Sequence, residues 1–282
     1  MAINEIYPGY IGLATVDGQR VRCNDFNVNP VQEPLFYDHT IGLRDSIPET
    51  IFEGKSDAGE LNPQKIIWRP SVKIYQGSIS YPLTDELGAD PLFALARTGD
   101  DFNMTFVYTC NKIARQFTGC KVNSYTFSIT AGDFATVQAD IMALRMEDVG
   151  GSTDYTKEEK IVTWDDVEIS GSFGSIPIQS FSVTINNNCM PIYTAGVNVS
   201  KELNPGKIRV GMQQVTGTIS FYNKGLSLSF MESIIGPTSI EVKTSDGFEM
   251  EINCIFRPQE RTASVSPIIS ALPFVGVDKA LG

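Results

Sequence analysis

Histidine is nearly missing from this sequence of 282 residues. His39 is the only one, and no serine or cysteine motif lies near it. Walker, Rossmann and nucleophile-elbow patterns are not found either. The acidic pairs at residues 85–86, 100–101 and 165–166 lack the spacing of a calcium-binding loop. Because the sequence shows no motif or spacing typical of a catalytic base, a phosphate-binding loop or a metal site, we expect no catalytic, cofactor-binding or metal site and no enzymatic activity.

Cysteine is scarce as well, and the five residues that occur are odd in number. No two of them form a Cys-x-x-Cys pair. We therefore expect free thiols that act as small buried apolar groups in a reducing cytosol. A zinc site built from Cys110 and Cys120 is the alternative. The five residues are Cys23, Cys110, Cys120, Cys189 and Cys254.

Long apolar runs and basic clusters are also lacking. No run approaches the ~20 apolar residues that span a membrane, and residues 1–5 lack the basic and apolar regions of a signal peptide. Lysine and arginine number 22 against 33 aspartate and glutamate residues, a formal net charge of -11. A surface that grips nucleic acid needs a basic patch. We expect no secretory leader, no membrane partner and no tight nucleic-acid-binding surface.

What the sequence does contain is a repeat. Residues 60–66 (ELNPQKI) return as residues 202–208 (ELNPGKI), and residues 77–81 (GSISY) return as residues 217–221 (GTISF). Each Asn-Pro pair marks a chain reversal, because proline keeps the preceding residue out of the helical region. A motif and a matching strand at nearly the same separation predict a tandem duplication.

The duplication divides the chain into two domains of ordinary size. The first is predicted over residues 1–147 and the second over residues 171–282. Between them, residues 148–170 are predicted to be a solvated linker, because residues 150–154 (GGSTD) and 157–160 (KEEK) are small, polar or charged.

Alternation of apolar and polar residues dominates both domains. Clear runs occur at residues 124–129, 135–141 and 180–185. A period of two is typical of half-buried β-strands. The sequence therefore predicts a mainly β fold.

Turn and helix signals punctuate these strands. Asp17-Gly18 and Asp246-Gly247 supply the positive φ angles of tight hairpins. Asp90-Pro91 provides an N-cap acceptor and a proline at the first helical position. The second domain has an apolar segment at the same place, residues 226–235. We expect one short flanking α-helix in each domain.

Residues 43–61 form the longest predicted loop, an acidic stretch whose counterpart, residues 194–203, is shorter. Loops of this length in a compact domain are usually functional or disordered. Ile47, Ile51 and Phe52 are its interior apolar residues, and they would be poorly placed unless a partner covered them.

The order of these features resembles the tail tube proteins of bacteriophages, also called major tail proteins. The residues that carry the resemblance are the strand, Asn-Pro turn and strand within 181–221 and the segment 117–128. It covers roughly residues 10–147 and 170–278. In that family a tube domain is a β-sandwich with a flanking helix, six domains form a ring with a continuous inner barrel, and rings stack through the long loop.

Most members carry one tube domain, whereas this chain would carry two tandem β-sandwich or half-barrel domains. The resemblance therefore implies a trimer ring with pseudo-sixfold symmetry; a hexamer is the alternative. It implies contacts between rings through the long loop and the two Asn-Pro turns. The residues concerned are Ile47, Ile51, Phe52, Asn62, Pro63, Asn204 and Pro205.

The function implied is that of a structural virion protein. The tube would be assembled in the host cytoplasm and would conduct the genome during DNA ejection. Implied partners are other copies of the chain, the tape-measure protein and viral DNA in the lumen, baseplate and tail-terminator proteins, and a sheath if the tail contracts. A negative lumen would let DNA slide instead of binding it.

Two other interpretations are kept. One is a different tail component on the same fold, such as a baseplate ring or the injection tube of a secretion system. The other is a free-standing binding module of two β domains, for example carbohydrate-binding. That module would need an exposed aromatic platform, and Trp68 and Trp164 lie beside the predicted turn and linker.

Overall fold

The computed structural model confirms the mainly β prediction. The predicted loop 43–61, both Asn-Pro turns and the predicted helix at 226–235 lie outside the described residues. No helix in the described ranges has the length and apolarity that crossing a membrane requires. The structure describes residues 12–31, 34–37, 67–70, 74–84, 90–108, 113–150, 160–171, 173, 177–192, 206–222, 236–245, 247–257 and 269–281.

The elements follow one another as strands with a single α-helix among the described residues. The first half contains β1 (Gly12–Val16), β2 (Gln19–Cys23), β3 (Asp25–Val31), β4 (Pro34–Tyr37), β5 (Ile67–Pro70), β6 (Ile74–Pro82), α1 (Pro91–Thr98), β7 (Phe102–Tyr108), β8 (Ile113–Thr130), β9 (Thr136–Ala143) and β10 (Arg145–Gly150). A short 3-10 helix, Trp164–Asp166, precedes the second half. That half contains β11 (Val167–Gly171), β12 (Ile178–Asn186), β13 (Met190–Ile192), β14 (Lys207–Arg209), β15 (Gln214–Tyr222), β16 (Pro237–Thr244), β17 (Glu249–Phe256) and β18 (Ile269–Leu281).

Fourteen of these strands form one antiparallel sheet. Its main path runs β11-β16-β17-β18-β15-β12-β8-β7-β1-β2, and β10, β9, β6 and β3 join it through β8. With 18 residues, β8 is long enough to pair with β7 and β10 along its N-terminal part and with β12 and β9 along its C-terminal part. The hairpins β4-β5 and β13-β14 stand apart from it. β8 therefore joins the two halves of the chain into one sheet.

The two halves pair their strands in the same order. The first runs β1-β7-β8-β9-β6-β3, and the second runs β11-β16-β17-β18-β15-β12. Val28 lies opposite Gly77 in the first half, and Val183 lies opposite Gly217 in the second. The repeated segments at residues 77–81 and 217–221 thus occupy equivalent places in the sheet.

Glycine at these equivalent places has a steric reason. Gly77 has a φ of 159°, and a Cβ there would collide with the carbonyl group of Asn27 on the neighbouring strand. A Cβ on Gly217 would collide with the ring of Phe274 and the carbonyl oxygen of Ser182. Both halves therefore use glycine where an adjacent strand comes closest.

One cluster of buried apolar side chains extends through both halves. Phe127 of β8 lies 6.3 Å from Phe181 of β12, which is stacked 6.0 Å from Phe274 of β18. Aromatic pairs at such spacings add to the free energy of burial. The core is thus shared, because the β8-β12 pairing brings apolar faces from both halves together.

Part of the stretch predicted as a linker, residues 148–170, is packed against the first half. Val162 is buried; its N–H donates to the carbonyl oxygen of Leu83, and its own carbonyl oxygen accepts from Ala135, each at 2.9 Å. The reason is compositional: residues 161–164 include Val162, which is buried, and Trp164, which is partly buried against the same core. Polar composition upstream of them concealed this segment.

The local turn predictions are confirmed where they are described. Asp17 and Gly18 have φ angles of 44° and 90° between β1 and β2. Asp90 caps α1 by accepting the Leu92 N–H at 2.9 Å. Gly99 ends the helix in the left-handed region, with its N–H donating to Leu95. Short-range residue chemistry fixes these features.

Candidate assembly surface

One face of the sheet is lined by polar side chains, most of them uncharged. On β3, β6, β9, β12, β15 and residues 124–130 of β8, buried apolar residues alternate with more exposed polar ones. Partners directly opposite in the ladders share a face, so the polar residues form continuous rows. Two such rows are Asn27, Ser78, Asp140, Ser124, Asn186 and Gln214, and Asp25, Ser80, Gln138, Thr126, Thr184 and Thr216.

Hydrogen bonds between neighbouring strands connect side chains within each row. The hydroxyl oxygens of Thr126 and Thr184 lie 3.0 Å apart, which links the two halves of the chain. The Ser124 hydroxyl donates to a carboxylate oxygen of Asp140 at 2.6 Å. These hydroxyls are therefore hydrogen-bonded to neighbouring side chains of the same polar face.

Cations are missing from this face. The described residues of its strands include no lysine, arginine or histidine, and the acidic residues are Asp25 and Asp140. Charge is concentrated elsewhere, on β10, β16, β17 and the N-terminal part of β8, where it forms ion pairs such as Lys243–Glu241 at 2.7 Å. A polyanion such as DNA binds through phosphate contacts to lysine and arginine. The described residues of this face provide none.

The sheet has an unpaired edge at β3. This strand pairs with β6, and no other described strand covers its outer side. Its counterpart β12 is covered on that side by β8 over Ser180–Asn186. An exposed strand edge is a template for pairing with another chain. β3 is thus the position where the sheet stops although the repeat provides for its continuation.

Pro30 marks a difference between the two equivalent strands. It corresponds to Ile185, since Val28 and Val183 hold the same register. The N–H of Asn187 donates to Asn123 of β8 at 2.8 Å, and alternate residues of a strand point their N–H groups to the same side. Ile185 therefore presents a donor to β8, whereas Pro30 presents none at the free edge.

A buried amide fastens the junction between the halves. The side-chain NH2 of Asn187 donates to the carbonyl oxygens of Ala96 in α1 and Val122 in β8, each at 2.9 Å. The side-chain NH2 of Gln213 donates to Ala96 and to the Asn187 side-chain oxygen, each at 3.0 Å. These bonds satisfy carbonyl groups at the C-terminus of α1 that the helix leaves free. Residues of the second half thus cap a helix of the first.

Aromatic contacts strengthen the same junction. Phe93 of α1 lies 5.4 Å from Phe248, and Phe248 is stacked 5.5 Å from Phe127 of β8. Phe248 begins the approach to β17 in the second half. Its ring is therefore held between the helix and the sheet of the first half.

The buried carboxyl group of Asp90 is structural. The hydroxyls of Tyr81 and Tyr125 donate to its two oxygens at 2.7 and 2.8 Å, and its Oδ1 also accepts from Leu92. Burial raises the pKa of Asp90, although these hydrogen bonds oppose the rise. The pKa of each tyrosine is raised by burial and by the Asp90 charge. Every oxygen is occupied by the fold, so the group fastens α1 to β6 and β8.

The inter-ring residues expected from the sequence lie outside the described residues, as do His39 and Cys110. They are Ile47, Ile51, Phe52, Asn62, Pro63, Asn204 and Pro205. The structure instead brings out the polar face, the β3 edge and the Asn187 junction. The sequence reasoning missed the last two; the alternation at residues 124–129 and 180–185 already indicated the first.

The other four cysteines are buried free thiols. Burial raises the pKa of Cys23 and of Cys254 to about 12, so these thiols stay protonated and unreactive at neutral pH. Among the described residues, no group of three histidine, cysteine or carboxylate side chains is placed to hold a metal ion.

Comparison with known proteins gives one finding. The family model described as phage tail tube protein matches residues 68–249, more than half of the chain. The match spans β5 to the start of β17 and so includes both sides of the Asn187 junction. A search of curated proteins finds no match. The chain therefore belongs to the phage tail tube protein family, a structural family of the virion tail.

Proposed function

We propose that this tail tube protein assembles into three-chain rings whose polar faces line a channel for the viral genome. The observation that carries the proposal is the β8-β12 pairing. It joins two units of identical strand order edge to edge inside one chain. It also leaves the equivalent strand, β3, without a neighbour.

Ring closure follows from repeating this junction between chains. β17 is the counterpart of β8, since each lies between equivalent strands. The segment that follows β17 in one chain would cover β3 of the next chain, as the C-terminal part of β8 covers β12. Such a head-to-tail contact closes into a ring if the rotation per unit permits it, and closure removes the exposed edge. Six units from three chains give the pseudo-sixfold ring, and the two units are the tandem tube domains proposed for residues 1–147 and 171–282.

The polar face suits the wall of a DNA channel. It carries hydroxyls and amides, two carboxylates and no cation among its described strand residues. The net charge of -11 surrounds it with an acidic protein. DNA in such a channel meets no phosphate-binding side chain, so it can slide during ejection, and the tape-measure protein would occupy the same space during assembly.

Stacking of rings through residues 43–61 completes the proposal. Ile47, Ile51 and Phe52 would be buried against the adjacent ring, where each could contribute about 1.5–3 kcal/mol. The Asn62-Pro63 and Asn204-Pro205 turns would lie at the same interface. Baseplate, tail-terminator and, in a contractile tail, sheath proteins would bind the finished tube.

Electron microscopy of the purified full-length chain tests the ring. We expect tubes or rings with six similar lobes and a mass per ring of three chains. Native mass spectrometry of single rings provides the chain count. Rings of six chains would overturn the trimer, and a chain that stays monomeric at high concentration, with no rings or tubes, would count against the tube itself.

A further inference from the structure

The exposed large apolar side chains are concentrated at the two ends of the polar sheet. Among the described residues there are five of them: Phe134, Met190, Ile192, Met212 and Ile255. The part of β8 that pairs with β12 extends from Ser124, opposite Asn186, to Thr130, opposite Ser180. These levels are about 20 Å apart at 3.3 Å per residue. Phe134 follows Thr130, whereas Met190 and Met212 adjoin the Asn186 level, so the two groups lie at opposite ends.

The first region, which we term the turn end, comprises the exposed side chain of Phe134 and the acidic residues Asp133 and Asp165. Phe134 is 51% exposed in the β8-β9 turn. The turn is held in place because the Asp133 carboxylate accepts the Phe134 N–H at 2.8 Å and the Asp133 carbonyl oxygen accepts from Trp164 at 3.1 Å. Asp133 and Asp165 are both exposed. The neighbouring Asp166 is paired with Lys160 at 2.7 Å. The turn end is therefore an exposed aromatic side chain on a hydrogen-bonded turn, with two exposed carboxylates beside it.

The second group, which we term the hairpin end, is apolar and basic. Met190 and Met212 are 57% and 78% exposed. Their segments are joined, because the Asn188 side chain donates to the Met212 carbonyl oxygen at 2.7 Å. Met190 lies opposite Arg209, and Ile192 lies opposite Lys207, in the β13-β14 hairpin. The described residues of the hairpin, 190–192 and 207–209, include no acidic side chain.

We propose that the turn end of one copy of the chain binds the hairpin end of the next copy along the tube axis. The aromatic ring of Phe134 would pack on the flexible methionines, which adapt to irregular apolar surfaces. The acidic and basic side chains around them would attract each other and set the orientation of the contact. Two different, complementary patches at opposite ends make a heterologous contact, which extends without limit instead of closing. The inference rests on the proposed tube and adds a second stacking contact beside the loop at residues 43–61.

The test uses two variants of the full-length chain, each defective at one end. Asp133→Asn with Phe134→Ser alters the turn end while keeping an oxygen to accept the turn hydrogen bond. Met190→Ser with Met212→Ser alters the hairpin end. Ile255→Ser removes an exposed large apolar side chain that lies in neither patch and is the matched control. Each preparation is scored by electron microscopy for rings and for the number of rings per stack.

Each end variant alone is expected to give single rings, and the control is expected to give wild-type tubes. A one-to-one mixture of the two variants should give stacks of two rings, because one intact hairpin end meets one intact turn end and both outer ends are defective. Long tubes from either variant, single rings from the mixture, or loss of the rings themselves would overturn the inference. Wild-type rings that never stack would refute it while leaving the proposed ring intact, whereas a wild-type chain without rings would refute the proposed function itself.

Discussion

Replacing Asn187, the residue after β12, by leucine should destabilise the chain. The side chain is fully buried and donates to Ala96 and Val122. Leucine has the same number and branching of side-chain heavy atoms but no donor. The Val122 carbonyl oxygen would then lose its amide donor, at a cost of about 1–3 kcal/mol. The Ala96 carbonyl oxygen keeps its bond from Gln213. Loss of the Asn187–Ala96 bond and of the Gln213–Asn187 bond therefore adds roughly 1 kcal/mol in total.

The expected loss of unfolding free energy is therefore about 2–4 kcal/mol. Urea denaturation followed by circular dichroism, at a concentration where sedimentation shows monomers, measures it. Gln214→Leu is the matched control: this neighbouring amide is exposed on β15, and its replacement should change stability by less than about 0.5 kcal/mol. Equal stability of Asn187→Leu and the wild type, or equal losses in both variants, would refute the role of the amide.

Two further predictions concern the buried carboxyl group and the polar face. Asp90→Asn keeps an N-cap acceptor. Because the pKa of Asp90 is raised in the folded state, the wild type should gain stability relative to this variant as the pH falls from about 7 to 4. It should lose that stability again as the pH rises through the folded-state pKa. Urea midpoints of both proteins across this range check it, and a pH-independent difference would contradict the assignment. Thr216→Lys places a cation on the polar face and should make assembled tubes retain duplex DNA in ~150 mM salt. Gln19→Lys, equally exposed on β2, should leave co-sedimentation at the low wild-type level, and retention by both variants or by neither would separate DNA binding from this face.

The parts of the fold that depend on neighbouring residues could be predicted from the sequence. Asp17-Gly18 and Asp90-Pro91 each contain the chemistry of the turn or cap that they form. Alternation at residues 124–129 and 180–185 likewise indicated which side chains face the core and which form the polar rows. These signals have a range of a few residues.

What could not be predicted depends on pairing between distant segments. Nothing in the period of β8 specifies that its C-terminal part pairs with β12, because many strands with the same alternation could occupy that place. The partners of Asp90 are tyrosines on two other strands, Tyr81 and Tyr125, and spacing alone does not reveal them. Asn187 is the middle one of three consecutive asparagines, and no local pattern marks it as buried. Its burial is decided by α1, which lies about ninety residues earlier.

The proline in β3 makes β3 and β12 unequal partners for β8. During folding, β8 could in principle add β3 or β12, since both have the same register against their inner neighbours. With β12 the ladder is complete, whereas with β3 Pro30 leaves one carbonyl oxygen of β8 without a donor. That difference of about 1 kcal/mol favours pairing with β12 over pairing with β3 several-fold. The difference between residues 30 and 185 thus favours joining the two halves through β8 and β12 over pairing β8 with the β3 strand of its own half.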